Sequence, residues 1–105
     1  MARQSPLVSV IMPCYNAERF ITEAIKSVQA QSITDWELLI TNDCSTDNTR
    51  NLVKSISESD PRIKLFDLPE NSGAAVARNN SIMHAAGRYI AFLDSDDLWA
   101  EDKLE

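Results

Sequence analysis

LVSVIMPCYN, residues 7–16, is the stretch whose reading sets the architecture. From Leu7 to Met12 it is a β-branched-rich apolar run, closed by Pro13. A half-exposed strand alternates polar and apolar side chains, whereas a strand buried on both faces of a parallel sheet reads as a nearly continuous apolar run. Residues 7–12 are therefore expected to form a buried parallel strand that stops at Pro13. Beyond it, Phe20, Ile21, Ala24, Ile25 and Val28 recur at three- and four-residue intervals, the spacing of one helix face. That helix is expected to end near Gln31.

The same alternation continues along the chain. Trp36 to Thr41 is a second apolar run, followed by the polar cluster Asn42, Asp43, Cys44, Ser45, Thr46 and Asp47, in which Ser45 or Thr46 can cap the next helix. Leu52, Val53 and Ile56 give that helix its inward face, and Asp60-Pro61 interrupts it. Ile63 to Leu68 reads as a third strand and Pro69 to Gly73 as a turn. The alanine-rich stretch from Ala74 to Ala86 has high helix propensity, with Gly87 as a left-handed stop. Tyr89 to Leu93 is the last strand, and it delivers Asp94 at its carboxyl end. Four short strands alternating with helices predict a single α/β domain with a right-handed, mostly parallel sheet. The polar clusters after Met12, Thr41 and Leu93 then share one sheet edge, where open α/β sheets bind ligands.

Charge narrows the function. The chain carries a formal −6, and residues 94–105 hold six acids against Lys103 alone, which leaves the other 93 residues nearly neutral. No basic cluster suited to a nucleic-acid backbone is present, so nucleic acid is excluded as the expected partner. Cys14 and Cys44 lie outside any CxxC spacing and nothing before Leu7 resembles a secretion signal, which points to reduced core cysteines in a cytoplasmic setting. No apolar run is long enough to cross a bilayer. The glycine fingerprints of dinucleotide folds and P-loops are absent, so a bound nucleotide would have to be held by carboxylates and a metal.

The sharpest local signal is Asp94-Ser95-Asp96-Asp97. On an extended segment Asp94 and Asp96 point the same way and could share one hard divalent cation, Mg²⁺ or Mn²⁺, while a turn or helix cap made by Asp96 and Asp97 is the alternative. Asp43 follows a strand directly, where a carboxylate can accept from a base or ribose; the alternative is that the cluster serves only as a cap. Tyr15 could cover a planar base or the edge of the core. Arg78, early in the alanine-rich helix beside Asn79, could pair with a phosphate or remain a surface arginine. His84, the single histidine, reads as structural or solvent-facing. Leu98, Trp99 and Leu104 are apolar positions in search of a surface, and from them a piece of a longer polypeptide is expected.

In order and spacing, Val8-Ser9-Val10-Ile11-Met12-Pro13-Cys14-Tyr15-Asn16, Asn42-Asp43-Cys44-Ser45-Thr46-Asp47, Asn71-Ser72-Gly73 with Ala77-Arg78-Asn79, and Asp94-Ser95-Asp96-Asp97 resemble the family 2 glycosyltransferases of the GT-A fold. The resemblance covers essentially the whole chain, as the amino-terminal sugar-nucleotide-binding part of a Rossmann-like domain truncated after the DxD motif. It implies transfer of a sugar, often from a UDP-sugar, to a saccharide or lipid-linked acceptor, with inversion. It also implies that Pro13 and Tyr15 border the nucleoside, Asp43 contacts the base and Arg78 lies near the donor. Asp94 would lie by the ribose or metal, and Asp96 would be the principal ligand of Mg²⁺ or Mn²⁺. Such enzymes build bacterial cell-surface glycans, which implies a cytoplasmic protein working at the inner membrane face through a further portion. The family often has Asp-Asp-Gly-Ser where this chain has Asn42-Asp43-Cys44-Ser45, and a cysteine in place of that glycine argues against a positive φ at residue 44.

Two other readings fit less well. A receiver-like module would want an acid after the first strand, where Pro13-Cys14-Tyr15 stands, and a sugar-nucleotide synthase would want a glycine-rich first loop, which residues 12–20 lack. An unfinished sheet would also leave an edge open to self-association. The resemblance places the general base farther along a longer chain, so the 105 residues alone are expected to transfer no sugar. Transfer by the purified chain would overturn that expectation.

Overall fold

The computed structural model describes residues 6–100 and 102–104. Its elements run β1 (Val8–Cys14), α1 (Ile21–Gln29), β2 (Trp36–Asn42), α2 (Thr49–Ser59), β3 (Ile63–Asp67), α3 (Ala74–Met83) and β4 (Tyr89–Phe92). The four strands form one sheet in the order β3-β2-β1-β4, with every pairing parallel. The chain thus steps outward from β1 to β3 and then returns to the far side of β1, which creates a switch point between β1 and β4.

Both faces of β1 and β2 are covered, which explains the continuous apolar run. Val8, Val10, Met12 and Cys14 share one cluster with Trp36, Leu38 and Ile40 and with Ile21, Ala24, Ile25 and Val28 of α1. The alternate residues Ile11, Leu39 and Thr41 are equally buried, and α3 lies over them, where the Ser81 hydroxyl donates to the Leu39 carbonyl at 3.0 Å and bonds the Thr41 hydroxyl at 2.7 Å. Each fully buried aliphatic side chain on these faces contributes about 1.5–3 kcal/mol relative to exposure.

Several boundaries depart from the sequence reading. β1 does not stop at Pro13 but runs to Cys14, since β4 pairs only with Val8 to Ile11 and Pro13 lies past the end of that ladder. α1 ends at Gln29, and α3 ends at Met83 with a right-handed cap at His84 (φ −100°). Gly87 has no positive φ, so it is not a left-handed stop. A Cβ at Gly87 would lie 2.6 Å from the Ser9 nitrogen, and the Gly87 N–H donates to Ser9 Oγ at 2.8 Å. The glycine is there for this close approach. Ser9 Oγ in turn donates to buried Glu37 at 2.6 Å, and Glu37 accepts the Ala86 N–H at 2.8 Å. Together these bonds fix the connection into β4. Trp99 and Leu104 fold back against the core, while Leu98 stays exposed. Tyr89, Ile90 and Phe92 of β4 are exposed as well. Among the described residues no helix is long and apolar enough to cross a membrane.

Gly87→Ala is expected to lower stability by about 1–3 kcal/mol, the usual cost of forcing atoms into a filled space, read as a fall in the urea midpoint. An unchanged midpoint would contradict the close-packing role.

Candidate functional site

A cleft of about 610 Å³ opens at the carboxyl ends of β1, β2 and β4, within the size range of small-molecule sites. Four loops build it. The first follows β1 and contributes Pro13, Tyr15 and Asn16; Ala17 and Phe20 continue its wall. Asp43 comes from the end of β2, Asn71 and Gly73 from the loop before α3, and Asp94, Ser95 and Asp96 from the turn after β4. Ala74, Ala77 and Arg78 add the first turns of α3. Pro13, Tyr15, Asp43, Arg78, Asp94 and Asp96, singled out from the sequence, therefore meet in one cavity.

Asp43 is the most constrained of them, at 3% exposure. Its Oδ1 accepts the Ser72 N–H at 2.7 Å, and its Oδ2 accepts the Gly73 N–H at 2.9 Å and Asn71 Nδ2 at 3.2 Å. A buried carboxylate is costly unless hydrogen-bonded, and bonds to an ionised acceptor are about twice as strong as neutral ones. Asp43 thus fastens the 71–73 loop and starts α3, whose preceding Gly73 takes φ +99°. A carboxylate offers about four acceptor sites, so one remains for a donor from outside.

The loops after β1 and β2 are stitched to each other. Asn16 (φ +48°) accepts the Thr46 N–H at 2.8 Å through its side-chain oxygen, Ser45 Oγ accepts the Asn16 N–H at 3.0 Å, and Thr49 Oγ1 accepts the Ala17 N–H at 2.8 Å. Ser45 and Thr46 are consumed in this way and do not cap α2; Asp47 accepts the Thr49 N–H at 2.9 Å instead. Cys44 takes φ +59°, contrary to the sequence expectation. The left-handed region costs a non-glycine residue roughly 1–2 kcal/mol, and the turn is held by the Ser45 N–H donating to Asn42 Oδ1 at 3.1 Å. Cys44 is also exposed, so only Cys14 is a core cysteine. Burial first, and then the nearby carboxylates of Asp67, Asp47 and Asp43, push the Cys14 thiol up to about 12. A thiol held that high stays protonated near neutral pH.

β4 ends at Phe92, and the acidic segment is a turn rather than an extended strand, with the Asp97 N–H donating to the Asp94 carbonyl at 3.0 Å. The turn brings Asp97 into the group: one carboxylate oxygen from each of Asp94, Asp96 and Asp97 lies within 4.8 Å of the others, all exposed. An all-oxygen donor set this close, open to solvent and beside a cleft, fits a hard divalent cation that keeps several waters. Arg78 is the one cationic side chain among the lining residues, and its guanidinium stands 3.9 Å from Asp94. Asn79 is exposed and lies outside the cleft, while His84 stacks on Phe66 at 4.2 Å and is structural.

Phe20 is the lining residue that pattern reading misassigned. Its periodic position suggested an inward face, but it precedes α1 with φ −124° and remains 51% exposed at the cleft wall. Only knowledge of the first helical residue would have revealed this.

The sequence model of glycosyl transferase family 2 matches residues 9–105. The chain belongs to that family. Among curated members it is 54% identical over 99 residues to the UDP-Glc:alpha-D-GlcNAc-diphosphoundecaprenol beta-1,3-glucosyltransferase WfgD of Escherichia coli, covering 94% of this chain and 38% of that protein. Among solved structures, TarS 1-349 of S. aureus in complex with UDP superposes with a TM-score of 0.87 at 36% identity, over 93% of this chain and 30% of that one. The mannosyltransferase PcManGT of Pyrobaculum calidifontis, in complex with GDP-Man and Mn²⁺, gives 0.82 at 30% identity, over 94% and 31%. This family 2 chain therefore has the GT-A-type α/β fold, and it spans about two fifths of the length of two of the curated relatives it matches (42% and 38%) and less of others.

Asp43→Asn places an amide where three donors converge, and leaving buried groups unpaired costs about 1–3 kcal/mol. The Ser72 and Gly73 amides are expected to exchange hydrogen much faster in this variant. Retained protection at both would contradict the fastening role of Asp43.

Proposed function

We propose that the cleft is the donor site of a glycosyltransferase that moves a sugar from a nucleoside diphosphate, with UDP the favoured nucleotide, to a lipid-linked or cell-surface glycan acceptor with inversion. The observation that carries this reading is the convergence, on a single cleft at the switch point of the sheet, of one arginine, an aromatic-walled loop and a turn of three close carboxylates, two of which line the cleft. Pro13 and Tyr15 border the base. Asp43, with one acceptor position left, receives a donor from the base or ribose, and Arg78 pairs with the diphosphate. Asp94 lies between ribose and metal, and Asp96 is the principal ligand of Mg²⁺ or Mn²⁺, with Asp97 beside it. The cation, when bound, offsets the charge that develops on the departing diphosphate.

The names of WfgD and of the TarS complex favour a uridine nucleotide, and the PcManGT complex favours Mn²⁺ as a competent ion. The acceptor class follows WfgD, whose name specifies a diphosphoundecaprenol-linked sugar. Each acid lining the cleft has a donor-side role in this scheme, so the base that deprotonates the acceptor comes from outside residues 1–105.

Calorimetric titration of UDP and GDP, with and without Mn²⁺, into the parent chain and Asp96→Ala tests the scheme. Metal-dependent binding, tighter for UDP and weakened at least about tenfold by the substitution, is the expected result. Nucleotide binding indifferent to both metal and substitution would sink it.

A further inference from the structure

Gln31 lies just past α1, on none of the cleft walls, yet it is only 3% exposed and its side-chain amide bonds to backbone groups at three points. Its Nε2 donates to the Ala100 carbonyl at 2.6 Å and to the Ser27 carbonyl at 3.2 Å, and its Oε1 accepts the Leu104 N–H at 3.1 Å. The network itself fixes the orientation of the amide, because a flipped group would set its oxygen against two carbonyls. The bond to Ser27 anchors the amide to the last turn of α1, and the other two hold the chain on both sides of residue 102. Trp99 and Leu104 seal this clip against the core.

The clip bears on the acidic turn because, beyond the turn's own Asp97 N–H bond to the Asp94 carbonyl, its carboxylates have little to hold them. Asp94, Asp96 and Asp97 are exposed, and among the described residues their carboxylates make one contact, the 3.9 Å approach of Arg78 to Asp94. An exposed pair at that distance adds little. On the amino-terminal side the turn is moored by β4, where the Leu93 N–H donates to the Ile11 carbonyl at 3.1 Å. On the carboxyl-terminal side Trp99 packs against the core, and among the described residues the first polar mooring is Ala100 on Gln31, three residues after Asp97. Three carboxylates repel one another, and a turn held on its carboxyl side by the packing of Trp99 alone would let them splay.

We infer that Gln31 is a positioning residue for the acidic turn: by tying Ala100 and Leu104 to the end of α1 it keeps the Asp94, Asp96 and Asp97 carboxylates close enough to take one divalent cation. The inference rests on the donor-site reading for its consequence and on the hydrogen bonds alone for its geometry. Loss of an indirect support of this kind is expected to weaken Mn²⁺ binding about tenfold, the lower end for groups that orient metal ligands.

The test uses the 105-residue chain and two variants. Gln31→Met keeps length and packing but removes every side-chain hydrogen bond, while Gln31→Glu keeps the acceptor for Leu104 and loses the donor to Ala100 and to Ser27. Mn²⁺ affinity, read by electron paramagnetic resonance well below the unfolding midpoint, is compared with hydrogen exchange at the Asp97 and Leu104 amides without metal. If the inference holds, Mn²⁺ binds the variants about tenfold more weakly than the parent, and Asp97 loses protection along with Leu104 in Gln31→Met. A folded variant with parental Mn²⁺ affinity, or faster exchange at Leu104 with Asp97 unchanged, overturns it. A parent chain that binds no Mn²⁺ would count against the donor-site reading, and exchange at Asp97 would still decide whether Gln31 governs the turn.

Discussion

The buried carboxylate of Asp43 is the constraint on which the site depends. It stands at the end of β2, tied to the end of β1 by its own N–H on the Cys14 carbonyl at 2.9 Å, and it collects the Ser72 and Gly73 N–H groups together with the Asn71 amide. Three donors on one ionised group compensate a desolvation that would otherwise exclude a carboxylate from such a place. Because Gly73 is held there with φ +99°, α3 begins at Ala74 and Arg78 falls just over one turn into the helix. The position of the single arginine in the cleft, and hence its approach to Asp94, follows from where Asp43 takes hold of the loop.

The two ends of the sheet are organised differently, and the difference suits a binding protein. At the end where β1 begins, Ser9, Glu37 and Gly87 lock the connection into β4 by side-chain bonds packed too tightly for even a methyl group. At the opposite end the loops are held by hydrogen bonds to one another, through Asn16, Ser45, Thr46, Asp47 and Thr49, leaving side chains such as Tyr15 and Phe20 exposed around a cavity. A rigid scaffold that carries a cleft on loops is the usual division of labour in α/β proteins.

The strands and their parallel arrangement, though not their order, were legible because both faces of β1 and β2 are buried, which leaves unbroken apolar runs from Val8 to Met12 and from Leu38 to Ile40 apart from Ser9. The site loops were legible as polar clusters at the ends of those runs. What a sequence could not disclose was how each loop satisfies its backbone. Cys44 at φ +59° broke the expectation drawn from its side chain, since local strain was outweighed by the turn's hydrogen bonds. Gly87 was read as a helix stop because glycine so often serves there, when it marks a contact 78 residues away in the chain. Phe20 and Gln31 looked like helix-face and helix-end residues; one borders the cleft and the other grips the chain beyond the acidic turn, and neither role has a local signature.

The central claim is that a divalent cation and a nucleoside diphosphate meet at the turn after β4, inside the cleft that Asp43 organises. Paramagnetic broadening of backbone amide signals by substoichiometric Mn²⁺ in the presence of UDP tests it most directly. The account predicts that the signals of residues 94–97 disappear first, followed by Gly73 and Arg78, while Ser9, Glu37 and Gly87 at the far end of the sheet stay sharp. Broadening centred elsewhere, or spread evenly over the exposed acids, would contradict it.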